Sequence, residues 1–151
     1  MEHRTQENLA GFAMAREAPR SSSTSAAYAG ARPTILIVDD FDDTRLLMRT
    51  WLERRGFRVI EAENGCEAVS EAQCESPDLI IMDLEMPELD GLEATRAIRQ
   101  IQGLANIPIL AVSAYGAEQY RAPALHAGCN EYVSTPFEPA QLESLIRSYM
   151  P

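Results

Sequence analysis

From Pro33 onward, five short apolar segments rich in β-branched residues alternate strictly with helix-like stretches, and few folds accommodate that pattern. The strands are predicted at Thr34–Val38, Arg58–Glu61, Asp78–Met82, Ile107–Val112 and Glu131–Ser134. Helices are predicted at Asp42–Arg55, with Leu46, Leu47, Trp51 and Leu52 on one face and Gly56 ending it, then at Gly65–Cys74, Gly91–Gln102, Glu118–Ala127 and Pro139–Tyr149. Strand and helix in strict alternation imply an α/β fold: a doubly wound, five-stranded parallel sheet with helices on both faces. Strands that are apolar almost throughout suit burial on both sides.

In such a sheet, chemistry gathers at the carboxyl ends of the strands, near the point where strand order reverses. Here the first strand ends in Asp39-Asp40, the third in Asp83, the fourth in Ser113 and the fifth in Thr135-Pro136. If the first and third strands are neighbours, three carboxylates converge. Their mutual repulsion raises at least one pKa unless a cation compensates. All 13 basic residues are Arg and none is Lys, so a hard divalent ion with oxygen ligands, Mg2+, is the natural partner. One of the aspartates near the first helix, Asp42 or Asp43, is expected to cap it. Asp90 before Gly91 reads as a helix cap, and Met86-Pro87 as loop geometry.

Charge and composition narrow the alternatives. The net charge is −10, and residues 1–31 balance three Arg against three Glu, so the excess acidity lies in residues 32–151. An acidic domain repels nucleic acid phosphates. The apolar runs are too short to cross a membrane, and no secretory signal pattern opens the chain, which points to the cytoplasm. Cys66, Cys74 and Cys129 have no metal-type spacing and read as small buried or half-buried thiols in a reducing compartment. His3 and His126 are isolated. Residues 1–32 include SSSTSAAYAGA and lack a sustained apolar period, so they read as a disordered tail in which Leu9, Phe12 and Met14 offer at most a short docking helix.

Five stretches carry a resemblance: ILIVDD, ENGCEAV, PDLIIMDLEMPELDG, IPILAVSA and AGCNEYVSTPF, in that order. Residues 33–151 resemble the receiver domain of two-component response regulators, in the stand-alone, single-domain form. The resemblance implies that Asp83 accepts a phosphoryl group from a sensor histidine kinase or a histidine phosphotransfer protein. It implies that Asp39, Asp40, Asp83 and the backbone carbonyl of Glu85 hold Mg2+. Ser113 stands where the family places a hydroxyl that bonds a phosphoryl oxygen, and Tyr132 where an aromatic ring turns inward after that bond forms. Output is then expected through contacts with a downstream protein, as a monomer or weak homodimer, with no enzymatic turnover of an external substrate.

The chain departs from the family in two places. Thr135 occupies the position of a lysine, removing a charge-assisted hydrogen bond of about 1.5–3 kcal/mol from a switch that needs roughly 5.5 kcal/mol to move from 1:99 to 99:1. The Thr135-Pro136 bond is expected to be cis, because the proline survives. Pro123 falls inside the predicted fourth helix, which is therefore either kinked or shortened so that Pro123 sits in its first turn; Gly116–Ala127 is expected to be mobile. Tyr115 and Glu85 flank the site, where they would govern water access. Two other readings compete: a receiver-like interaction module that works without phosphorylation, favoured by the missing lysine, and a Mg2+-dependent phosphatase with an Asp nucleophile and Glu85 as acid, which lacks the expected lysine and cap elements.

Overall fold

The computed structural model describes residues 31–86, 90–114 and 118–150. The N-terminal segment through residue 30, with Leu9, Phe12 and Met14, lies outside the described residues, as do Pro87, Tyr115 and Gly116. Met1–Arg32 and Pro33–Pro151 separate into two units, and the second carries the sheet.

Five parallel strands form that sheet in the order β2-β1-β3-β4-β5: β1 Thr34–Val38, β2 Arg58–Ala62, β3 Leu79–Asp83, β4 Ile109–Ser113 and β5 Glu131–Ser134. The helices are α1 Asp42–Glu53, α2 Gly65–Glu75, α3 Gly91–Arg99, α4 Arg121–Ala127 and α5 Pro139–Ser148. The predicted architecture is therefore present, and β1 and β3 are neighbours. Side chains that alternate along each strand supply two cores. Leu36, Val38, Ile80 and Met82 pack with Ala68, Ala72, Ala94, Ile98 and Ala124 of α2, α3 and α4. Ile35, Ile37, Leu79 and Ile81 pack on the other face with Leu52, Leu142 and Ile146 of α1 and α5.

Several boundaries differ from the sequence reading for identifiable reasons. β3 starts one residue later because the Asp78 carboxylate turns back to accept the Thr34 N–H at 2.7 Å. Beyond Arg99 the chain leaves α3 through tight turns, Ile101 N to Ile98 O at 3.0 Å and Leu104 N to Ile101 O at 3.0 Å, with Gly103 at φ +92°. Pro123 does not kink a long helix. Glu118–Tyr120 form a 3-10 turn and α4 begins at Arg121, leaving Pro123 in its first turn, where no intrahelical N–H is needed.

The register of α1 is the main correction. Apolar spacing places Leu46 and Leu47 on the buried face, yet they are 61% and 73% exposed. The inward stripe instead runs through Arg45, Met48 and Leu52, and an arginine at an inward position is invisible to an apolar periodicity. Neither Asp42 nor Asp43 caps the helix: Phe41 is the N-cap residue and makes no side-chain cap bond. Both aspartates lie in the first turn, where they complement the helix dipole. Asp90 does cap α3, accepting the Glu93 N–H at 2.9 Å. Of the cysteines, Cys129 is buried, but Cys66 and Cys74 are exposed.

Gly91 ties this scaffold to the acidic rim. A Cβ there would stand 2.3 Å from the Asp83 carbonyl oxygen and 2.8 Å from the Leu84 Cα, both rigid backbone. The Gly91→Ala variant is expected to lose about 1–3 kcal/mol in urea unfolding; an unchanged midpoint would show that the loop gives way freely.

Candidate functional site

Parallel pairing sets Val38 opposite Met82 and Asp83 opposite Val112. Asp39 and Asp40 therefore leave the end of β1 beside Asp83 at the end of β3. One carboxylate oxygen from each of Asp39, Asp40 and Asp83 lies within 4.8 Å of the other two. Asp39 and Asp83 are partly buried and Asp40 is exposed. Each partly buried acid is also tied to its own loop. Asp39 Oδ1 accepts the Phe41 N–H at 2.9 Å, and Asp83 Oδ1 accepts the Glu85 N–H at 3.0 Å. These Asx turns fix the carboxylates' direction and leave other lone pairs free for a cation.

The site is electrostatically strained without such a cation. Burial pushes the Asp83 carboxyl up to about 7; the Glu85 N–H opposes that rise, and the charges of Asp39, Asp40 and Glu85 add to it. Asp39 is raised too, first by burial and then by Asp40, against the pull of the Phe41 N–H and Arg45.

Arg45 is the participant that the sequence reading missed. Its guanidinium donates to the Asp39 backbone carbonyl at 2.7 Å, to Glu61 at 3.0 Å and to Asp42. It holds the β1–α1 loop by its backbone without neutralising the Asp39 carboxylate. The available signal was an arginine three residues after an N-terminal helical aspartate, a spacing that pairs the two.

The remaining expected residues surround the rim. Ser113 is buried, 2% exposed, and its hydroxyl donates to the Glu85 carboxylate at 3.3 Å. Thr135 follows β5, and its hydroxyl donates to the Ser113 carbonyl at 3.2 Å, so it is occupied by backbone. The Thr135-Pro136 bond is cis, as expected. Tyr132 is already turned inward at 5% exposure, with the Arg121 guanidinium 4.9 Å from its ring centre. No lysine, here or elsewhere in the chain, reaches the acids.

A raised carboxyl pKa has a defined consequence for stability. Below about pH 4 both folded and unfolded chains hold the Asp83 proton. Between there and about pH 7 the folded chain alone holds it, so in metal-free solution stability falls as pH rises. Asp83→Asn removes the charge, and its Tm is expected to exceed that of the wild type by a gap that opens between about pH 4 and 7 and stays flat above. A gap independent of pH, measured in chelator, would contradict the assignment.

Comparison with known proteins identifies the family. The profile of the response regulator receiver domain matches residues 35–147. The polar-differentiation response regulator DivK of Brucella anthropi is 33% identical over 117 residues, covering 78% of this chain and 95% of DivK. The receiver domain of a sensor histidine kinase from Pseudomonas aeruginosa PAO1, crystallised with a magnesium ion coordinated in its active-site cleft, aligns with a TM-score of 0.73 and 34% identity over 79% of this chain and 98% of that one. The chemotaxis response regulator CheY4 of Vibrio cholerae aligns with a TM-score of 0.74 at 27% identity, over 80% of this chain and all of that one. No helix among the described residues is long and apolar enough to cross a membrane. This chain belongs to the response regulator receiver domains of two-component phosphorelay signalling.

Proposed function

We propose that Asp83 accepts a phosphoryl group from a phosphohistidine on a sensor kinase or phosphotransfer protein, in the cytoplasm. The observation that carries this reading is the convergence of Asp39, Asp40 and Asp83 within 4.8 Å. Three hard carboxylate oxygens so close together fit Mg2+, with the Glu85 carbonyl as a further ligand. When bound, Mg2+ would neutralise charge between the carboxylate and the incoming phosphoryl group.

In the transfer, the free Asp83 carboxylate oxygen forms a bond to phosphorus as the phosphorus–nitrogen bond of the donor imidazole breaks, and the electron pair leaves with the imidazole. The Glu85 N–H fixes one Asp83 oxygen, which orients the carboxylate and leaves the other oxygen to attack. The acyl phosphate adds strong acceptors beside Ser113. The Ser113 hydroxyl then exchanges the Glu85 carboxylate for a phosphoryl oxygen, a trade that its 3.3 Å bond makes inexpensive. Tyr132 needs no inward swing from an exposed position, since it is already buried. Thr135 contributes no charge, and its hydroxyl is engaged with the Ser113 carbonyl. Phosphorylation is therefore weakly coupled to the downstream protein contact.

Two measurements test this reading. Intact-mass spectrometry after incubation with Mg2+ and acetyl phosphate should show one added phosphoryl group in the wild type and none in Asp83→Asn; an unmodified wild type sinks the proposal. In Thr135→Lys, the new ammonium should widen the difference in partner binding between phosphorylated and unphosphorylated forms by about tenfold or more, the worth of one charge-assisted hydrogen bond. An unchanged difference would show that Thr135 is not what limits coupling.

A further inference from the structure

Among the described residues four large apolar side chains are exposed, and three of them, Phe41, Leu46 and Leu47, stand beside or on α1. Exposed apolar side chains gathered in one place and rimmed by charge mark a protein contact. Asp43, Leu47, Thr50 and Arg54 are all exposed, and helical spacing brings them into one narrow seam, opposite the inward Arg45 and Leu52. Thr50 joins that seam as an apolar group. Its hydroxyl donates back to the Leu46 carbonyl at 2.8 Å, which satisfies the hydroxyl within the helix and leaves the methyl for contact. The two ends of the seam carry opposite charge. Asp42, Arg45, Arg49, Glu53 and Arg55 are engaged in ion pairs, whereas among the described residues neither Asp43 nor Arg54 has one.

We propose that this face of α1 docks on the same face of a second copy of this chain, the two helices antiparallel about a two-fold axis midway between Leu47 and Thr50. The spacing along the seam identifies the partner. Leu47 and Thr50 share their midpoint with Asp43 and Arg54. One axis therefore sets Leu47 against the partner's Thr50 and Asp43 against the partner's Arg54, and the symmetry repeats both contacts. The small Thr50 lets the helices approach to the usual distance of about 8–10 Å, and Leu46 widens the apolar patch on one side. A parallel pair would instead face Asp43 with Asp43 and Arg54 with Arg54. Exposed ion pairs contribute little affinity, so burial of Leu46 and Leu47 drives association and the charges fix its direction. A seam of about three turns is small beside the interfaces of stable dimers, so the dimer forms only as the chain is concentrated. The contact needs neither a metal ion nor a phosphoryl group at the rim.

Sedimentation equilibrium of the full chain, in chelator and without phosphodonor, reads the association directly from low-micromolar to near-millimolar concentration. A monomer–dimer equilibrium is expected. Amide NMR shifts between the two ends of that range should cluster at Asp43, Leu47, Thr50 and Arg54. Leu47→Glu should keep the folded spectrum and stay monomeric throughout. Asp43→Arg and Arg54→Asp should each weaken the dimer about tenfold or more, because the two-fold axis turns two opposite-charge pairs into two like-charge pairs. Asp43→Arg also brings the net charge of −10 closer to zero, so a weaker dimer in that variant cannot come from overall repulsion. The double variant Asp43→Arg/Arg54→Asp restores both pairs at the wild-type net charge and should recover the wild-type affinity. A chain that stays monomeric at every concentration assigns the face to another occupant and overturns the proposal. So does a dimer that Leu47→Glu or the single charge variants leave intact, a double variant no tighter than the single ones, or shifts centred on another face.

Discussion

Parallel pairing of β1 against β3 sets Val38 opposite Met82, and that alignment delivers Asp39, Asp40 and Asp83 to one rim of the sheet. Nothing in the resulting cluster attracts its members to one another. The hydrogen-bond ladder and the apolar layers above and below supply the force that holds like charges together. Burial first, and the charges of Asp39, Asp40 and Glu85 after it, push the Asp83 carboxyl up to about 7. A site under such tension has a strong preference for positive charge, and the divalent ion of the proposed function answers that imbalance.

The surrounding loops relieve that tension only in part. The Arg45 charge pulls Asp39 down, but its guanidinium grips the Asp39 carbonyl, Asp42 and Glu61. Backbone N–H groups of Phe41 and Glu85 each take one carboxylate oxygen. Gly91 lets α3 press against the Asp83 carbonyl with no side chain between them. These contacts orient Asp39 and Asp83, and both carboxyls stay raised.

Much of this was legible in the sequence. Alternating apolar segments sufficed for the sheet and its helices, and the rule that chemistry lies at strand ends singled out Asp39, Asp40 and Asp83. Asp90 as a cap followed from local backbone chemistry, which for Pro123 left a kink and a first-turn position both open. What escaped depended on long-range geometry. Trp51 and Leu52 of α1 do pack inward, but Arg45 points inward for ion partners that include Glu61 on β2, and Leu46 and Leu47 stay outside. The bond from Ser113 to Glu85 joins residues 28 apart, a separation to which no local motif corresponds.

Isothermal titration of the metal-free chain with Mg2+ addresses the convergence of the three acids most directly. One ion should bind per chain, and asparagine at Asp39, Asp40 or Asp83 should weaken or abolish that binding in each case. Absence of magnesium uptake, or uptake that survives all three substitutions together, would contradict the account.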